Sequence, residues 1–146
     1  ITIADCVPIL IYDSKNEIVA GIHAGWRGTE KEIVRKTLEK MNRKYDTEGE
    51  NCFAFIGTCI DECSFEVGEK VADKFEDSFK RWDNEKQKFF IDLKAANKTQ
   101  LTNFGIPENQ IEVSPYSSYL NNEDYFSYRK EGGKTGRMLA VIGMRG

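Results

Sequence analysis

Two short apolar runs separated by a polar turn set the frame of this chain. Residues 7–12 have the composition of a buried strand, residues 18–22 repeat it, and Asp13-Ser14-Lys15-Asn16-Glu17 between them is rich in turn formers. The spacing predicts two neighbouring strands whose apolar side chains need a covering layer. That layer follows. After His23-Ala24-Gly25-Trp26-Arg27-Gly28 the chain enters Thr29-Glu30-Lys31-Glu32, a Thr-x-x-Glu capping box, and Ile33, Val34, Thr37, Leu38 and Met41 then recur at helical spacing.

The remainder alternates in the same way. Cys52–Ile56 reads as a strand closed by Gly57, and residues 65–79 place Val67, Val71, Ala72, Phe75 and Phe79 on one helical face. A brief strand at 89–91 precedes a helix over 93–104, with Leu93, Ala96, Leu101 and Phe104 inward and Gly105 and Pro107 as its stop. Residues 111–113, 125–128 and 138–144 close the chain as strands. The pattern predicts an α/β (α+β) fold, a layered sandwich of mixed β-sheet covered by helices. No repeat, linker or low-complexity stretch interrupts it, so residues 1–146 are expected to form a single domain.

Composition excludes several classes of function. A hydrophobic fraction of 40% and an aromatic fraction of 12% suffice for a core and exclude wholesale disorder. The 21 basic and 24 acidic side chains leave a net charge of −3, which argues against a nucleic-acid footprint. No apolar run approaches the ~20 residues of a membrane span, and no secretion signal stands at the start, so a cytoplasmic setting is expected. The chain opens at Ile1 without an initiator methionine and enters a strand at once, from which an N-terminal portion upstream is expected.

Four segments could carry chemistry. Cys6 and His23, the only histidine, stand at the edges of the first two strands. Thiolate and imidazole suit zinc or copper, or a nucleophile and its base; they equally suit a buried cysteine beside a core histidine. In the 23–28 loop two glycines permit close approach to a ligand, a helix N-terminus follows, and Arg27 offers a fork for phosphate or carboxylate. Cys59 and Cys63 form a Cys-x-x-x-Cys that no second pair completes, and they read as thiols lining a turn. The aromatic and basic stretch Tyr125–Arg137 could stack a base and hold a phosphate, or form a strand with snorkelling basic residues, and the latter is the simpler reading.

Together these segments resemble the laccase-domain (YfiH-like) family, associated with multicopper polyphenol oxidase and purine nucleoside phosphorylase activities. The matching residues are Ala4-Asp5-Cys6-Val7-Pro8-Ile9-Leu10, His23-Ala24-Gly25-Trp26-Arg27-Gly28 and Ser64-Phe65-Glu66-Val67-Gly68. They continue through Asp92-Leu93, Asn97, Gln100-Leu101, Phe126-Ser127-Tyr128-Arg129 and Thr135-Gly136-Arg137-Met138, in family order over nearly the whole chain. The resemblance implies a metal held by two histidines and a cysteine, zinc with copper as the alternative. Cys6 would be the cysteine ligand and His23 the second histidine. The family's first histidine lies in a Gln-x-His-Gly motif that this sequence does not contain. Ser117-Ser118 also departs from the Cys-Thr that relatives often carry there.

The activity so implied is phosphorolysis of purine nucleosides (adenosine, inosine and methylthioadenosine), with deamination of adenosine beside it. Purine nucleoside and phosphate would be the partners, with neither nucleic acid nor membrane. Arg27 and Arg129 are then candidates to hold the anion, and Asp5 is a candidate for orientation or proton transfer, or else a turn carboxylate. Two rival readings come from other chemistry. A cysteine hydrolase or deamidase would use Cys6 as nucleophile and His23 as base. A polyphenol oxidase of the laccase type would need redox copper, for which one imidazole is too few. A non-enzymatic scaffold is the third possibility.

Overall fold

The computed structural model describes residues 1–146. In chain order it contains β1 (Thr2–Ile3), β2 (Val7–Asp13), β3 (Ile18–Ala24), α1 (Trp26–Glu30), α2 (Ile33–Tyr45), β4 (Cys52–Ile56), β5 (Glu66–Val67), α3 (Glu69–Ala72), β6 (Lys80–Asp83), β7 (Lys88–Ile91), α4 (Leu93–Phe104), β8 (Ile111–Val113) and β9 (Met138–Leu139). The expected mixed α/β layering is present. No helix is long and apolar enough to cross a membrane.

The central sheet has the order β3-β2-β4-β8, with β2 antiparallel to both its neighbours and β4 parallel to β8. Alternation along β2 decides which face is covered. Val7, Ile9 and Ile11 are fully buried, joined by Ala54 and Ile56 of β4 and by Val34, Leu38 and Leu101 of α2 and α4. The other face carries Leu10, Tyr12, Phe53 and Phe55, the last two exposed. A three-stranded antiparallel sheet, β5-β7-β6, and the short pair β1-β9 complete the layers.

Several local expectations are corrected. The capping box does not form: Glu32 sits at the start of α2 in the left-handed region with no side-chain cap, while the Thr29 hydroxyl donates back to the Gly25 carbonyl. Residues 65–79 are not one helix. Val67 pairs with Phe89 in a sheet, leaving the short α3 and a 3-10 turn at Asp77–Phe79, because the apolar residues face two different layers. Residues 125–128 form turns rather than a strand, and the last strand is only Met138–Leu139. Strand β6, with Trp82 packed edge-on against Phe89, is an element that periodicity does not predict.

Candidate functional site

Antiparallel register brings the two principal candidates to one end of the central sheet. Pro8 of β2 lies opposite His23 of β3, and Val7 opposite Ala24. Cys6, immediately before β2, therefore meets the start of the 25–28 loop. A Cβ placed on Gly25 would stand 2.9 Å from the Cys6 sulfur, so glycine is what allows loop and thiol to approach. The loop is fixed from behind by α4. Asn97 Nδ2 donates to the Thr29 hydroxyl at 2.9 Å, and Gln100 Nε2 donates to the Thr29 carbonyl at 3.0 Å.

Cys6 and His23 line a common cleft of about 290 Å³ with Thr2, Asp5, Ile60, Phe65, Tyr128, Arg129 and Arg137. Its size is near the lower end of the roughly 300–1,000 Å³ of small-molecule sites. Burial, followed by the charge of Asp5, raises the Cys6 thiol above its usual range, and Arg137 acts in the opposite sense.

Asp5 holds two distant segments. Its backbone has φ +82°, Oδ1 accepts from the Ser118 hydroxyl at 2.6 Å, and Oδ2 accepts from the Arg129 backbone N–H at 2.7 Å. The carboxylate thus ties the start of β2 to two segments more than a hundred residues away. Arg129 in turn donates from Nη1 to the Glu66 carbonyl at 3.0 Å, with its guanidinium 5.4 Å from the Phe65 ring centre.

Arg27 stands apart from this group. Helix α1 turns its exposed guanidinium onto Trp26, 4.3 Å from the ring centre, and it is not among the residues lining the cleft. The cleft also holds Arg137, whose stretch in the sequence suits either a phosphate holder or a strand with snorkelling cations. The available signal was the run of glycines and aromatics around it. A Cβ on Gly136 would fall 2.7 Å from the Phe126 ring, so that contact needs a glycine beside the arginine. The other thiols are remote from such chemistry. Cys59 and Cys52 are buried, with burial pushing them up to about 12 and about 11, and Cys63 is exposed beside Glu62.

The donor types at Cys6 and His23 suit zinc or copper, but no group of three or more His, Cys, Asp or Glu side chains converges in this structure. Catalytic zinc needs three protein ligands and an open position. Both Asp5 oxygens already accept hydrogen bonds. These residues by themselves do not make a metal site.

Residues 1–145 match the family model described as multi-copper polyphenol oxidoreductase laccase. The chain is 43% identical over 150 residues to a purine nucleoside phosphorylase of Bacteroides thetaiotaomicron, covering 97% of this chain and 55% of that protein. It is 39% identical over 147 residues to the purine nucleoside phosphorylase YlmD of Staphylococcus aureus, covering 97% of this chain and 54% of that protein. Among solved structures, the hypothetical protein YfiH of Bacillus licheniformis superposes with a TM-score of 0.87 at 33% identity, over 93% of this chain and 53% of that one. YlmD of Geobacillus stearothermophilus gives 0.86 at 29% identity, with the same two coverages. The chain spans about half the length of the relatives it matches.

Proposed function

The chain belongs to the multi-copper polyphenol oxidoreductase laccase family, and from that premise we propose that it supplies the reaction cleft of a purine nucleoside phosphorylase. What supports this reading most is the meeting of Cys6, His23 and Arg129 in one cleft, with the aromatic rings of Phe65 and Tyr128 beside them. Two of the relatives carry that activity in their names. The substrates assigned are adenosine, inosine and methylthioadenosine, with deamination of adenosine as a second activity.

The reaction makes definite demands on the cleft. A phosphate oxygen bonds to the anomeric carbon as the carbon–nitrogen bond to the purine breaks, and the proton lost by phosphate ends on the purine nitrogen. A ring face is needed for the base, a cation for the phosphate, and a group to hand over the proton. Phe65 and Tyr128 offer rings, Arg129 a guanidinium with free donors, and His23 an imidazole suited to proton transfer. Asp5 acts here as a positioning residue, since both of its oxygens are engaged. Zinc, or copper, would require a further ligand beyond Cys6 and His23, and no step is routed through it. The cysteine-hydrolase alternative is less favoured, because the relatives reported above are named purine nucleoside phosphorylases.

Incubation of the complete protein with inosine, with and without phosphate, tests the proposal. Free base and sugar 1-phosphate should appear together and only with phosphate; His23→Ala should lower the rate by about 100-fold or more, and Cys6→Ala should lower activity and bound metal together. Base release that ignores both phosphate and these substitutions would overturn it.

A further inference from the structure

We infer that Arg137 is the phosphate-selecting residue of this cleft, forming with Arg129 a two-guanidinium seat for an oxyanion beside Cys6 and His23; the identification of that oxyanion as the phosphate co-substrate rests on the phosphorylase reading above.

Two guanidiniums line this cleft without a carboxylate partner. Arg35 bridges Glu32 and Glu39, and Arg81 holds Glu62, while Arg27, Arg43 and Arg145 lie exposed without an ion pair; Arg129 and Arg137 differ from all of these in lining one cleft together. Neither Arg129 nor Arg137 has a carboxylate within ion-pair distance. The Arg129 guanidinium donates only to the Glu66 carbonyl, and Arg137 donates from Nη1 to the Gly136 carbonyl at 2.9 Å and the Thr135 carbonyl at 3.2 Å. Nε and Nη2 of both are left without a protein partner. The one acid lining the cleft is Asp5, and its oxygens are occupied by Ser118 and the Arg129 backbone. Two cations thus face a small cleft whose single carboxylate is directed to other donors. A tetrahedral oxyanion satisfies that arrangement, and the planar guanidinium fork is the side chain that grips one in two places.

The position of Arg137 is also built rather than incidental. Met138 pairs with Ile3 in the β1-β9 ladder, and the Ala140 N–H donates to the Ile1 carbonyl at 2.9 Å, which anchors the residues just after Arg137 across the molecule. On its other side Gly136 is held against Phe126. The bonds from Nη1 to its own backbone fold the guanidinium back, and its face lies 5.8 Å from the Tyr128 ring centre.

Three variants of the complete protein test this: R137Q, R137K and, as a charge control on the exposed surface of α2, R43Q. Inorganic phosphate is the probe, followed by phosphorus NMR line width and by its Michaelis constant in inosine cleavage. R137Q should weaken phosphate by about tenfold or more in both measurements while the inosine constant stays within about twofold; R137K should fall between, and R43Q should match the parent. Phosphate constants within about twofold of the parent in R137Q, with inosine cleavage intact, would overturn the seat and leave the phosphorylase reading standing. Loss of phosphate binding in R137Q from a parent that binds it yet cleaves no nucleoside would keep the seat and remove the reading. No phosphate binding by the parent would overturn the seat.

Discussion

The sulfur of Cys6 rests against Gly25 with no room for a methyl group between them, since a Cβ there would lie 2.9 Å from it. Gly25 itself has φ −73° and ψ 177°, a conformation open to alanine, so the constraint is contact and not backbone strain. Gly25→Ala should therefore fold, losing about 1–3 kcal/mol of stability from the crowded contact. The sulfur must rotate or the loop must part from β2. A displacement near 1 Å at a reacting group costs about 100-fold in rate, so activity should fall much further than stability. Parallel urea unfolding and kinetic assays of the complete protein would show this; a variant with the stability loss but undiminished activity would mean that the thiol's position is unimportant.

Asp5 separates a positioning role from a proton-carrying one. Replacement by alanine removes the acceptors for Ser118 and Arg129, and with them the short polar side chain that eases φ +82°, a combined loss of about 3 kcal/mol. Asn tolerates the left-handed backbone and keeps one acceptor. Asp5→Asn should accordingly retain at least about a tenth of kcat, whereas removal of a general acid or base costs about 100-fold to 10,000-fold. A collapse of kcat in the asparagine variant, with unfolding unchanged, would assign Asp5 to proton transfer.

The parts of this molecule that sequence disclosed are those decided by neighbours along the chain. Strands β2 and β3 are joined by a short polar turn, so the hairpin register that sets Pro8 opposite His23 follows from local pattern, and with it the meeting of Cys6 and His23. Helix α4 carries its own boundaries: Asp92 accepts from the Ala95 N–H at one end and Gly105 takes φ +109° at the other. What stayed hidden depends on distant partners. Thr29 looked like a cap because nothing local announces that Asn97 and Gln100 will claim it. Arg27 offers its fork beside a helix N-terminus, and local pattern does not announce that α1 winds it onto Trp26, away from the cleft. Arg137 arrives through the pairing of β1 with β9, the two ends of the chain, for which no periodicity speaks.

The four cysteines should divide cleanly under alkylation. Cys59 is buried and donates to the Ile60 carbonyl, and Cys52 is buried and donates to that of Glu48; burial pushes the two up to about 12 and about 11. Thiolate is the reacting form, so both should resist iodoacetamide at neutral pH until the protein unfolds. Cys63 is exposed and Cys6 half-buried, although the Glu62 hydrogen bond raises the first and burial the second. Intact mass should show no more than two adducts on the native protein and four in denaturant, with peptide mapping placing the native ones on Cys63 and Cys6. An adduct on Cys59 without unfolding would contradict the packing described for that turn.

Asp13 should govern part of the acid sensitivity of the fold. It is fully buried at the end of β2, where Oδ1 accepts from the backbone N–H of Lys15 at 3.0 Å and of Asn16 at 3.1 Å, and Oδ2 accepts from Asn16 Nδ2 at 2.8 Å. Burial pushes its carboxyl upward, but the hydrogen bonds led by Asn16 outweigh that and hold it below the usual carboxylate value. With the folded value depressed, the unfolded chain binds the proton first. The stabilisation is therefore complete above the ordinary value of about 4 and is lost as pH falls through the lower folded value. Asp13→Asn should lose about 1–3 kcal/mol at neutral pH, and its stability should fall less steeply than the parent's below about pH 4. Urea titrations at several pH values would compare the slopes, and parallel losses in the two proteins would place the acid-labile group elsewhere.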